Sequence, residues 1–208
     1  MRQELIDLLA RDAARYGLPQ NTLELTADYV LELARWSAKI NLTADREPRT
    51  IVQRHVLDSW TALPLLPQSG TLADLGSGGG LPGIPLALAR PELNVTLVES
   101  RGKKTAFLEH VARKLGLTNV RVLTCRIEES SERFDLACAR ALAAPHSALE
   151  LLRNVLPNGG KALLWTTTDD APAIEAHWKL LQRLEYGLAP DPHPTRLILH
   201  LERINNLG

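Results

Sequence analysis

Between Asp74 and Gly83 the chain reads Asp-Leu-Gly-Ser-Gly-Gly-Gly-Leu-Pro-Gly, with four glycines packed into positions 76–80. The short apolar run Thr71–Leu75 leads into it and an amphipathic stretch follows. Glycines there let the backbone turn tightly and approach a ligand that a side chain would keep away. A second apolar run, Asn94–Val98, ends in Glu99, 23 residues after Gly76. A carboxylate at that place can accept the hydrogens of both hydroxyls of a ribose. After the third run comes Cys125-Arg126-Ile127-Glu128-Glu129, where an adenine would lie against apolar side chains and a polar edge. Arg140 closes the fourth run, Phe134–Arg140, and can grip a phosphate or a carboxylate in bidentate fashion. The chemistry indicated is binding of an adenosine-bearing cofactor.

Two frames of the glycine loop compete. Gly78-x-Gly80-x-x-Gly83 satisfies the dinucleotide pattern, but its strand would end early, and Pro82 and Pro85 would crowd the turn where a pyrophosphate needs free helix amides. Asp74-x-Gly76-x-Gly78-x-Gly80 fits better. That is the pattern of S-adenosylmethionine sites, with the acid at the strand end facing the positive methionine portion. Glu99 serves either cofactor and does not choose between them.

These residues need a sheet to hold them at one edge. After residue 70, apolar runs near 71–75, 94–99, 120–124, 134–138 and 160–165 alternate with helical stretches near 83–89, 102–115 and 145–155. This is the signature of a mostly parallel sheet with crossover helices. Residues 183–189 and 195–203 read as an antiparallel edge pair joined by the turn Pro190-Asp191-Pro192-His193-Pro194. Before residue 70, apolar residues recur at helical spacing, with helices separated by Gly17-Leu18-Pro19 and Thr22 or Asn21 expected to cap the second. A third helix is expected from Ile51 to Leu63. The expected division is a helical extension, 1–69, packed on a main domain, 70–208, as one structural unit.

Composition excludes several function classes. The 208 residues carry 24 basic and 24 acidic side chains, which argues against a broadly basic nucleic-acid coat. Residues 71–140 hold 10 basic against 8 acidic groups, so a local basic rim is still compatible with the balance. Two cysteines without Cys-x-x-Cys spacing suggest neither a zinc site nor a disulfide framework. No metal is expected. No run approaches the ~18 apolar residues that span a bilayer, and the first residues lack the uninterrupted apolar core of a secretory signal. A cytoplasmic monomer without membrane contact is the expectation.

From about Trp36 to Leu156 the chain resembles the bacterial small-subunit rRNA guanine-N7 methyltransferases, the RsmG or GidB family. The residues carrying the resemblance are Asn41-Leu42-Thr43, His55-Val56-Leu57-Asp58-Ser59, Asp74 to Gly83 with Ile84-Pro85-Leu86, Glu99-Ser100 with Lys103-Lys104, Arg126-Ile127-Glu128 and Arg140-Ala141. The glycine loop is generic to methyltransferases, whereas Asn-Leu-Thr and His-x-x-Asp-Ser ahead of it are not. The resemblance implies an α/β fold of the Rossmann-like class I S-adenosylmethionine-dependent type, with seven strands and a C-terminal antiparallel hairpin. It implies cofactor contacts at Asp74, Gly76, Gly78, Leu81, Glu99, Ile127, Glu128 and Arg140. The implied substrate is guanine 527 in the 530 loop of 16S rRNA, met in the small ribosomal subunit or an assembly intermediate. Where the family commonly has Lys-Gly after the fifth strand, this chain has Trp165-Thr166-Thr167.

Guanine N7 carries an exposed lone pair, so its methylation needs no general base. Positioning and electrostatics are the enzyme's task, and Arg126 and Arg140 are the expected catalytic residues. Cys125 and Cys138 are expected to be inert thiols. Contact with RNA is expected from Arg101, Lys103, Lys104, Arg54 and His55, although His55 and Asp58, one helical turn apart, could equally tie the N-terminal layer to the sheet. Two other readings are a methyltransferase of the same fold acting on a small molecule or protein, and a nucleotide-binding module without catalysis.

Overall fold

The computed structural model describes residues 1–188 and 191–205. The helices α1 (Arg2–Ala13) and α2 (Gln20–Ser37) come first, then α3 (Pro48–Ile51), a π-helical turn (Val52–Val56) and α4 (Leu57–Trp60) in unbroken succession. The expected third helix therefore runs from Pro48 to Trp60, not Ile51 to Leu63. Pro48 takes the first helical position, where no amide donor is needed, and Pro64 falls in a separate short 3-10 turn. Neither Thr22 nor Asn21 caps α2, which starts at Gln20 after Pro19, and the Thr22 hydroxyl donates to the Leu88 carbonyl instead.

The remaining elements alternate: β1 (Gly70–Leu75), α5 (Gly83–Ala89), β2 (Leu93–Val98), α6 (Gly102–Lys114), β3 (Val120–Leu123), β4 (Leu136–Arg140), α7 (Pro145–Val155), β5 (Lys161–Thr167), β6 (Trp178–Leu188) and β7 (Asp191–Arg203). They form one seven-stranded sheet in the order β3-β2-β1-β4-β5-β7-β6. The first five strands are mutually parallel, and β7 runs antiparallel to both β5 and β6. The expected edge hairpin is present, but β6 begins at Trp178. As the outermost strand it is held by backbone pairing to β7, and its exposed stretch Lys179-Leu180-Leu181-Gln182-Arg183 sets two leucines side by side and gives no apolar alternation to read. Of the expected proline-rich turn, Pro190 lies outside the described residues, and the strand resumes at Asp191.

Alternate residues of each strand serve opposite faces. Leu72, Leu136, Cys138, Leu163 and Ile198 join α1, α2, α5 and α6 in one core, while Ala73, Leu75, Ala137, Ala139 and Leu164 pack against α7 in another. The N-terminal helices share the first core without a break. Helix α5 is buried along its whole length, which explains why seven residues contain only apolar types, glycine and proline. Each leucine so buried contributes about 1.5–3 kcal/mol relative to exposure. Between β1 and β4 the strand order reverses direction, and cavities open beside the carboxyl ends of the strands there.

Candidate active site

Two cavities open at this edge and share the wall Ala141-Leu142. The smaller, about 350 Å³, is lined by Gly76, Glu99, Arg101, Lys104, Arg126, Ile127 and Glu128 among others. The strand β2 delivers Glu99 to its floor, where the side chain is only 6% exposed. One carboxylate oxygen of Glu99 accepts the Gly78 N–H at 3.1 Å, and the other accepts the Arg101 N–H at 2.9 Å. Lys104 Nζ stands 3.9 Å away. A carboxylate has about four acceptor positions, so it retains capacity for two hydroxyl donors. Gly76, at φ +70°, adopts the left-handed region, and a Cβ there would lie 2.3 Å from Leu142 Cδ1. Ile127, Val98 and Leu142 supply apolar walls. The set fits a ribose and an adenine.

The glycine loop is held from several sides. Gly76 and Ser77 donate their N–H groups to the Val98 carbonyl, and the buried Tyr29 hydroxyl of α2 donates to the Gly79 carbonyl at 2.7 Å. Asp74 does not face the cavity, contrary to its expected role beside the cofactor. It is 1% exposed, accepts the Gly83 N–H at 3.0 Å and so clamps the start of α5. Burial pushes its carboxyl up to about 6. Leu81 is likewise set apart, packed in the core with the N-terminal helices and lining neither cavity. Gly78 takes part through its N–H on Glu99.

The larger cavity, about 500 Å³, has Arg140, His55, Asp58, Trp165, Tyr186 and Arg196 in its lining. Asp58 is its centre of charge. One oxygen of this 1% exposed carboxylate accepts Arg140 Nη1 at 2.8 Å, and the other accepts the Tyr186 hydroxyl at 2.7 Å and Arg196 Nη1 at 3.0 Å. Trp165 Nε1 donates to the Asp58 carbonyl at 3.3 Å. Burial and the Asp58 charge raise the Tyr186 phenol far above its usual range, so it is a neutral donor. Arg140 therefore belongs to this cavity and not to the one holding Glu99, because both branches of its guanidinium are turned toward Asp58 and His55. Asp58, Tyr186 and Arg196 were not among the candidate site residues. His-x-x-Asp was the available signal for Asp58, whereas nothing local marks the other two.

The backbone between the cavities is strained. Ala141 has φ +52°, the one non-glycine residue in the left-handed region among the described residues, and such outliers cluster at functional sites. The π-helical turn that carries His55 is a second irregularity of the same kind.

Of the expected RNA-facing cations, Arg101 and Lys103 are exposed at the start of α6, while Lys104 turns inward toward Glu99. That inward pairing answers the awkward placement of cations at a helix N-terminus. Arg54 lies on the π-helical turn next to His55, 3.6 Å from Asp45. The two thiols are poor nucleophiles: burial pushes both Cys125 and Cys138 up. Among the described residues no cluster could hold a metal ion, and no helix is long and apolar enough to cross a membrane.

A family model described as rRNA small subunit methyltransferase G, GidB, matches residues 22–186. The chain belongs to this family. The ribosomal RNA small subunit methyltransferase G of Xanthomonas campestris pv. campestris (strain B100) is 44% identical over 157 residues, covering 73% of this chain and 74% of that protein. Among solved structures, the putative methyltransferase yhhF of Escherichia coli superposes with a TM-score of 0.58 at 15% identity, over 80% of this chain and 92% of that one. M. jannaschii TYW2, solved in complex with AdoMet, gives 0.57 at 14% identity, covering 80% of each chain. Those two likenesses show the class I methyltransferase fold. As a member of its family the chain is an rRNA methyltransferase, and S-adenosylmethionine is its cofactor.

Proposed function

We propose that this chain methylates N7 of a guanine in 16S rRNA, guanine 527 of the 530 loop as its family resemblance implies, within the small ribosomal subunit or an assembly intermediate. The observation that carries this reading is the pair of abutting cavities, one fitted to an adenosine and the other lined by Trp165 and by two guanidiniums held on Asp58. Gly76, Glu99, Ile127 and Glu128 would hold the adenosine portion of the cofactor, with Arg126 at the rim. When bound, S-adenosylmethionine supplies an electrophilic methyl group on a positive sulfur.

The chain's own work is positioning. N7 needs no proton removed, so the acceptor cavity need not supply a general base: Asp58 is taken up by Arg140, Tyr186 and Arg196, Asp170 accepts the Thr167 hydroxyl, and His55 is held between Asp45 and Arg140. The guanidiniums of Arg140 and Arg196, fixed by Asp58, present donors that suit the O6 acceptor of a guanine or an adjoining phosphate. Trp165 and Leu142 offer apolar faces against which a base can lie. Arg101 and Lys103 at the start of α6, and Arg54 on the turn that carries His55, suit the flanking backbone. The chain is read as one structural unit, the helices of 1–69 packed on 70–208, acting as a cytoplasmic monomer. Purified protein, labelled methyl donor and small subunits from a strain lacking the enzyme provide the test. Label mapped to N7 of that guanine is the expected result, and its absence would overturn the reading.

A further inference from the structure

Around the acceptor cavity, His55 makes contacts that dictate its own protonation. Its Nδ1 lies 3.4 Å from Arg140 Nη2, and its Nε2 lies 2.9 Å from Asp45 Oδ2, with Thr43 Oγ1 at 3.1 Å. A guanidinium has only donors, so Nδ1 can meet it only as a lone pair. An ionised carboxylate has only acceptors, so Nε2 must carry the proton. The two contacts select one tautomer from opposite sides of the ring. A doubly protonated ring would set one N–H against another at Arg140, which accords with burial and the Arg140 charge bringing the imidazole down to about 4. The charged groups facing the ring are Asp45 on the preceding loop, Asp58 on α4 and Arg140 on β4. Arg140 is thus anchored twice, Nη1 on Asp58 and Nη2 on His55. With Asp58 alone, the guanidinium could swing about its Nη1 contact.

We infer that His55 is a positioning residue: as the neutral Nε2–H tautomer it accepts a hydrogen bond from Arg140 and, together with Asp58, fixes the guanidinium's orientation in the acceptor cavity. This replaces the direct RNA contact expected of it, and its functional consequence rests on the reading of that cavity as the methyl-acceptor site. The role makes two demands. The ring must be one tautomer in the free protein, and only the Nδ1 side matters for turnover.

Both demands can be measured. Long-range proton–nitrogen NMR of the full-length labelled protein at neutral pH, with His55→Gln for assignment, is expected to show Nε2 protonated and Nδ1 bare. A ring protonated on Nδ1, or on both nitrogens, would overturn the inference. In methyl transfer to small subunits, His55→Asn is compared with His55→Gln. Asparagine places an amide oxygen where Nδ1 was, and glutamine reaches the place of Nε2. The expected result is a kcat for Asn that exceeds that of Gln by roughly tenfold, with KM for the cofactor and affinity for S-adenosylhomocysteine equal in both variants. Gln equal to or better than Asn would mean that His55 serves only to tie down the Asp45 loop. Unchanged kcat with an equal rise in KM for the subunit in both variants would mean direct RNA contact. If the wild type leaves subunits unmethylated, the proposed function fails alone, and the NMR result still decides the tautomer.

Discussion

Asp58 and Arg140 form an ion pair, 2.8 Å from Oδ2 to Nη1, that joins a helix of the N-terminal layer to the last residue of a central strand. The same carboxylate also receives Tyr186 from β6 and Arg196 from β7, and its backbone carbonyl receives Trp165 from β5. Four strands thus converge on one aspartate. The larger cavity takes several of its walls from the residues that this aspartate holds together.

Removing that carboxylate should be costly. Asp58→Ala leaves two partly buried guanidiniums, 15% and 28% exposed, without their counter-charge. A stability loss near the lower end of about 3–5 kcal/mol is expected. Denaturant unfolding should show a lowered midpoint with an unchanged slope.

Arg126 and Arg140 should separate kinetically. Arg140→Lys leaves one ammonium to serve both Asp58 and His55, which it cannot do in the geometry of a fork. Turnover should fall by roughly tenfold or more while affinity for S-adenosylhomocysteine is kept. Arg126→Ala, on the rim of the other cavity, should instead raise KM for the cofactor. Steady-state kinetics with either reactant varied distinguish the two patterns.

Glu99→Gln deprives either Gly78 or Arg101 of its acceptor, because one carboxylate oxygen becomes an amide donor. Hydrogen bonds to a charged group contribute about 1.5–3 kcal/mol, so affinity for S-adenosylhomocysteine should fall roughly 10–100-fold. Titration calorimetry reads this directly.

Asp74 and His55 should impose opposite pH slopes on stability. Asp74, at about 6 when folded, keeps its proton where the unfolded carboxyl at about 3.9 has lost it, so stability falls as pH rises between these values. His55, at about 4 when folded, is neutral where the unfolded ring at about 6.5 is charged, so stability rises with pH across that window. Each slope is about 1.4 kcal/mol per pH unit, and the two nearly cancel from pH 4 to 6. Relative to wild type, Asp74→Asn should gain stability as pH rises through this range and His55→Asn should lose it. Unfolding free energies measured at several pH values check both signs.

The cofactor side of the molecule was legible because its signals are local. Strand, glycine loop, helix and the carboxylate closing the next strand lie within 30 residues, and the sheet order places them together without further information. Asp74 shows where such reading stops. Its spacing from Gly76 is the same whether the carboxylate faces a ligand or turns down onto the Gly83 amide, and only burial decides between these. Tyr186 and Arg196 mark another boundary, since they meet Asp58 across 128 and 138 residues. Their partnership depends on β7 inserting between β5 and β6, which no periodicity announces. Trp165 stands where the family resemblance implies a lysine; its indole takes a place in the wall and donates to the Asp58 carbonyl, a role that its neighbours in sequence do not specify.

The span of the Asp58 cluster sets an order of events during synthesis. Every residue lining the cofactor cavity has been translated by Leu151, but the acceptor cavity also needs Tyr186 and Arg196. At about 5–20 residues per second, the chain passes roughly 2–9 seconds with one chamber encoded and the other still missing its final strand. The larger chamber is therefore the last part of the site to be completed, closing only when the final two strands have joined the sheet.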